Sequence, residues 1–151
     1  METFDFSVSA ELTVKAETGN LPQVQEFVTS FLERNDASAK AIMQIDISVE
    51  EVFVNIASYA YGADSAENTC KIVCGISSSE KAFYLTFIDR GKPYDPLKKS
   101  DPTLGLAPSE MKEGGWGIYM VKQLVDGIEY EYEYEYEYSD GCNKLRLKKY
   151  I

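Results

Sequence analysis

The sequence contains no histidine, so any proton transfer must fall to a carboxylate, a lysine, a tyrosine or a cysteine, and a Ser-His-Asp triad is excluded. Among the carboxylates, Glu51 stands in an unusual setting. On a helical wheel at about 100° per residue, residues 45–61 spread Val49, Val52, Phe53, Val54, Ile56, Ala57 and Ala60 over most of the circumference. Glu51, Asn55 and Ser58 form a narrow polar stripe, with Tyr59 at its border. A helix this apolar is expected to be largely buried, and a buried carboxylate and carboxamide are unfavourable unless paired. Two arrangements meet that condition. One is a partly exposed helix edge. The other is a cavity wall presenting a carboxylate and a carbonyl oxygen to a hydrated metal ion, and such oxygen ligands suit Mg²⁺, which keeps several of its waters.

Two further segments carry chemistry. Asp89-Arg90-Gly91-Lys92-Pro93-Tyr94-Asp95-Pro96 follows an apolar run directly. A carboxylate at a strand end can accept a hydrogen bond from an amino group, and a glycine two residues on permits close backbone approach. The same composition also makes an ordinary tight turn. Gly114-Gly115-Trp116-Gly117-Ile118 then opens a helical stretch. Exposed amides and the helix dipole favour a phosphate there, although a flexible hinge has the same composition.

The elements that must hold these groups are legible from periodicity. Residues 11–15 alternate as a strand. Residues 21–33 place Val24, Phe27, Val28, Phe31 and Leu32 on one helical face, with Asn20 as the expected N-cap and Pro22 in the first turn. Residues 38–61 form one long or two short helices, with Gly62 as the stop. Residues 71–76 and 82–88 read as a hairpin, 92–115 as a Pro/Gly/Lys-rich lid, and 116–126 as a helix. Residues 128–138 and 144–151 close the chain as a second hairpin, turning at Asp140-Gly141. The expected fold is α+β, a two-layer sandwich with a mixed, largely antiparallel sheet packed on helices. It is a single domain over residues 1–151, and no early strand-GxGxxG-helix unit points to a Rossmann arrangement.

Taken in order, these motifs resemble those of the GHKL (Bergerat-fold) ATPases, and most closely the anti-sigma factor serine/threonine kinases. Glu51-Val52-Phe53-Val54-Asn55 is similar to the N-box, Asp89-Arg90-Gly91 to the G1 box and Gly114–Gly117 to the G2 box that closes the ATP lid. The resemblance implies ATP and Mg²⁺ as cofactors, with Asn55 coordinating the metal and Glu51 as general base. It implies that Asp89 accepts from the adenine amino group, that Gly91 lets the backbone pass the ring, and that Gly114, Gly115, Gly117 and Ile118 embrace the phosphates. The implied reaction is phosphoryl transfer to a serine or threonine of an anti-anti-sigma (STAS) partner, in a homodimer that also holds a sigma factor. Two departures are visible. Many relatives carry histidine four residues after the Asn, where this chain has Tyr59, and the terminal strand reads Asn143-Lys144-Leu145 where relatives supply Thr or Ser. The alternatives are a non-catalytic nucleotide-gated binding module and an ATPase fragment related to histidine kinases, although no phosphoacceptor histidine precedes the motifs.

Bulk properties fit this expectation. With 25 acidic and 15 basic residues, the net charge of −10 opposes non-specific binding to nucleic acid or anionic lipid. No apolar run is long enough to span a bilayer and no signal peptide opens the chain, so the expected location is the cytoplasm. Cys70, Cys74 and Cys142 form an odd set, neither a disulfide framework nor, without histidine, a zinc site. A run of five Glu-Tyr pairs over residues 129–138 puts tyrosines on one strand face and glutamates on the other. Lys144, Arg146, Lys148 and Lys149 are expected to balance those glutamates across the hairpin.

Overall fold

A computed structural model describes residues 6–61, 68–98, 115–134 and 141–151. In chain order the elements are β1 (Val8–Lys15), α1 (Leu21–Arg34), α2 (Ala39–Tyr59), β2 (Thr69–Ser77), β3 (Ala82–Asp89), α3 (Gly115–Leu124), β4 (Gly127–Tyr134) and β5 (Gly141–Tyr150). The five strands form one sheet in the order β1-β2-β3-β5-β4, and all four ladders are antiparallel. Val14, Ile72, Cys74, Phe83, Leu85, Phe87, Leu145 and Leu147 point from one face of the sheet into a core completed by α1, α2 and α3. This is the expected α+β two-layer sandwich, except that the sheet of the described strands is antiparallel throughout rather than mixed.

β3 lies at the centre of the sheet and is buried along nearly its whole length, which a strand of Phe83, Leu85 and Phe87 can sustain at about 1.5–3 kcal/mol per buried side chain. Edge strand β1 alternates exposed and covered residues instead. α2 is one helix rather than two. Ser38 caps it, its hydroxyl accepting from Ala41 N–H at 3.1 Å. Its buried side chains, from Ala41 to Phe53, pack between α1 and α3.

Asn20 occupies the position before α1 but does not cap it by its side chain. A 3-10 turn, Thr18–Asn20, leads into the helix, so Asn20 is already near-helical (φ −91°, ψ 0°), and its Nδ2 donates back to Lys15 O at 3.0 Å. The basic residues of β5 also divide differently from expectation. Lys144 pairs with Glu133 of the Glu-Tyr run, but Lys148 turns to Glu80 at 2.7 Å and Lys149 to Asp126 at 3.7 Å. Gly62, Asp140, the end of the Glu-Tyr run and most of the expected lid lie outside the described residues. Residues 92–98 are described, and they end in a 3-10 turn, Pro96–Lys98. No described helix is long and apolar enough to cross a membrane.

Candidate functional site

One cavity opens between the C-terminal half of α2 and the ends of β3, β5 and β4. α2 contributes Val52, Asn55, Ile56, Tyr59 and Ala60 to its wall, and α3 contributes Ile118. Asp89, at the end of β3, and the following loop residues Lys92, Tyr94 and Pro96 form a second side. Tyr130 of β4 with Asn143 and Leu145 of β5 completes it. The lining is largely apolar with a few convergent polar groups, the usual character of a small-molecule site.

The polar groups differ in how they are engaged. Asp89 is only 6% exposed, and its Oδ1 accepts from Gly91 N–H and from Asn143 Nδ2, each at 2.9 Å. Among the described residues Oδ2 receives no donor. Burial pushes the Asp89 carboxyl above the usual carboxylate range, against the two hydrogen bonds that draw it down. The result is a desolvated acceptor with one oxygen held and the other uncommitted.

The side chain of Asn55 makes no hydrogen bond or ion pair among the described residues, and neither does that of Glu51, one turn earlier on the same face of α2. Glu51 lies against the first turn of α3: a Cβ built on Gly117 would fall 2.5 Å from Glu51 Oε2. Glycine at 117 is therefore what lets a carboxylate sit beside the amides that open α3. With Asn55 in the cavity wall and its carboxamide unengaged, a hydrated divalent cation fits the donor set. No cluster of three or more His, Cys, Asp or Glu exists among the described residues, so such an ion would take few protein ligands. Mg²⁺ commonly binds that way, completed by water and phosphate oxygens.

The loop after β3 is fastened to the end of α2. Lys92 N–H donates to Ala60 O at 3.2 Å. Tyr61 Oη accepts a hydrogen bond from Arg90 N–H at 2.6 Å and donates one to Thr69 O at 2.5 Å, and burial raises the pKa of that phenol to about 12. A Cβ on Gly91 would lie 2.1 Å from Ala60 O. The approach that requires glycine at 91 is thus to the helix end.

Of the residues singled out in the sequence, Asn55, Asp89 and Ile118 line the cavity together. Glu51 and Gly117 abut beside it, Gly91 braces its floor, Gly115 begins α3, and Gly114 lies outside the described residues. Sequence reasoning missed Tyr130, Tyr61 and the central place of Asn143. The alternation of the Glu-Tyr run already put Tyr130 on the tyrosine face of its strand, opposite the glutamates, which was the available signal. The three cysteines are buried and free.

A family model described as the histidine kinase-like ATPase domain matches residues 14–149. Among solved structures, that of the RsbU and RsbW domains of Rv1364c from Mycobacterium tuberculosis is similar, with a TM-score of 0.63 and 16% identity over 95% of this chain. This chain spans 32% of the length of that one, and at such identity the likeness speaks for the fold. No curated protein matches in sequence.

Proposed function

Since this chain belongs to the histidine kinase-like ATPase domain family, we propose that it is an ATP- and Mg²⁺-dependent protein serine/threonine kinase acting as an anti-sigma factor. Its phosphoacceptor is a hydroxyl of a STAS-type anti-anti-sigma protein, its competing client is a sigma factor, and it works as a homodimer in the cytoplasm. The family match and the similarity to a structure containing an RsbW domain support this direction. The observation that carries it is the carboxylate of Glu51 against Gly117 at the start of α3. A base next to a helix N-terminus stands where phosphate oxygens gather.

In this reading Asp89 Oδ2 accepts from the adenine amino group, while Ile56, Ile118 and Leu145 give the ring an apolar bed. The backbone of Gly115 and Gly117 donates to phosphate oxygens. Asn55 holds Mg²⁺ by its carboxamide oxygen, and the ion supplies neutralisation of phosphate charge. Glu51 accepts the proton of the attacking hydroxyl. Positioning and fixed charge do most of the work in such transfers.

The test is incubation of the protein with Mg·ATP and a co-encoded STAS protein, followed by mass spectrometry of the partner. The expected product is phosphoserine or phosphothreonine. Glu51→Gln should retain ATP binding and lose transfer by about 10²–10⁴-fold. ATP binding by the wild-type protein with no phosphorylated partner would leave a nucleotide-gated binding module and remove the kinase. Full transfer by Glu51→Gln would remove the role given to that residue.

A further inference from the structure

Asn143 is 6% exposed and sits opposite Asp89 in the β3–β5 ladder, so both side chains leave the sheet on the same face. Its carboxamide is fully committed. Nδ2 donates to Asp89 Oδ1 at 2.9 Å, to Lys92 O at 3.0 Å and to Gly91 O at 3.3 Å. Oδ1 accepts from Tyr94 N–H at 3.1 Å and from the Tyr130 hydroxyl. Two donor hydrogens and two acceptor sites are all a carboxamide has, and here the two hydrogens are shared among three acceptors. The reversed orientation would set oxygen against the Asp89 carboxylate and two carbonyls, so only this one is stable. Tyr130 enforces it from β4, two residues out of register on the same face.

We propose that Asn143, oriented by Tyr130, is the residue that fixes the purine selectivity of the cavity, by committing Asp89 Oδ1 and leaving Oδ2 as an acceptor only. The inference rests on the reading of the cavity as a nucleotide site. Asn143 has no capacity left for a ligand and acts through Asp89, so it is a positioning residue. An ionised carboxylate with one free oxygen suits the amino group of adenine and repels the carbonyl of guanine at the same position. A protonated carboxyl can offer a donor to that carbonyl instead. Without the Asn143 donor, a buried carboxylate is left with Gly91 N–H alone, and discrimination weakens.

The other groups around Asp89 do not blur the effect. Cys70 faces it from β2, Tyr61 from beyond α2 and Tyr130 from β4, and burial drives all three upward, away from neutral pH. Lys92, on the same loop, shares the cavity.

The experiment measures ATP and GTP affinities of the wild type, Asn143→Asp and Tyr130→Phe between about pH 5 and pH 8, with circular dichroism to establish folding. Asn143→Asp preserves shape but puts a carboxylate oxygen 2.9 Å from Asp89 Oδ1, and two carboxylates so close share a proton. The ratio of ATP to GTP affinity is expected to fall by about tenfold or more, and ATP binding to depend more steeply on pH than in the wild type. Tyr130→Phe removes only the hydroxyl that orients Asn143 and should lower the ratio by roughly two- to fivefold. A role confined to packing would weaken both nucleotides equally and leave the pH profile unchanged. That outcome, in either folded variant of a wild type that selects ATP, overturns the inference alone. A wild type that binds neither nucleotide overturns the reading of the cavity and the inference with it.

Discussion

Replacing Asp89 with Asn separates what the carboxylate does for a ligand from what it does for the fold. An amide oxygen in the place of Oδ1 keeps both donors, Gly91 N–H and Asn143 Nδ2. The change falls on Oδ2, which becomes an amino group. A charge-assisted acceptor worth about 1.5–3 kcal/mol is lost, and a donor is set against the adenine amino group at a further penalty of about 1–3 kcal/mol. Together these come to about 2.5–6 kcal/mol, a fall of roughly two to four orders of magnitude in ATP affinity. Stability should move the other way. Burial holds the folded-state pKa of Asp89 above its usual range. A raised value contributes stability that is full below the unfolded-state pKa of about 3.9 and is lost as pH rises through the folded-state value. The neutral amide has no such loss. The stability difference should therefore shift in favour of Asp89→Asn as pH rises from about 4 to 7. Calorimetric titration with ATP and denaturant unfolding across that range measure both. A variant that binds ATP as the wild type does, or whose relative stability falls as the pH rises, would refute the reasoning.

Two glycines should respond differently to the same added methyl. Gly91→Ala drives a Cβ to 2.1 Å from the Ala60 carbonyl oxygen, which is backbone at a helix end, so thermal unfolding should show a loss of about 1–3 kcal/mol. Gly117→Ala meets the tip of the Glu51 side chain at 2.5 Å. That tip can swing aside, so the expected result is a near-normal melting temperature with phosphoryl transfer reduced about tenfold or more by the displaced base. Ser38→Ala removes the hydroxyl that caps α2 and should lower stability by about 1 kcal/mol in denaturant titration, with ATP affinity unchanged.

The parts legible in the sequence were those governed by local repeats. A 3.6-residue period exposed α2 and its Glu51–Asn55 stripe, and the twofold alternation of β4 and β5 gave the terminal hairpin. Asp89-Arg90-Gly91 was visible because a strand end followed by glycine is a local pattern. Asn143 was not, because its importance arises from a register that brings together residues 54 apart in the chain. Tyr61 belongs to the same class, a hydroxyl joining the end of α2, the start of β2 and the loop after β3. Asn20 failed as a cap for a different reason: the 3-10 turn before α1 fixes its backbone before the side chain can reach forward. Lys148 and Lys149 left the Glu-Tyr run because Glu80 and Asp126, invisible as neighbours in one dimension, lie within reach.

The fastening of the loop after β3 to Ala60 turns α2 into a ruler. Its far end is tied to the loop that follows Asp89 through Lys92 N–H and Ala60 O, while Glu51 and Asn55 stand nine and five residues back along the same axis. At about 1.5 Å per residue, Glu51 is some 13–14 Å from that anchor. This span cannot be stretched as a loop can, because every step of it is a hydrogen-bonded turn. One residue inserted between Asn55 and Ala60 would lengthen it by about 1.5 Å and rotate Glu51 by about 100°, off the start of α3. The length of molecule that can touch both ends at once is therefore counted out in helical residues, and a free base or nucleoside would reach only one.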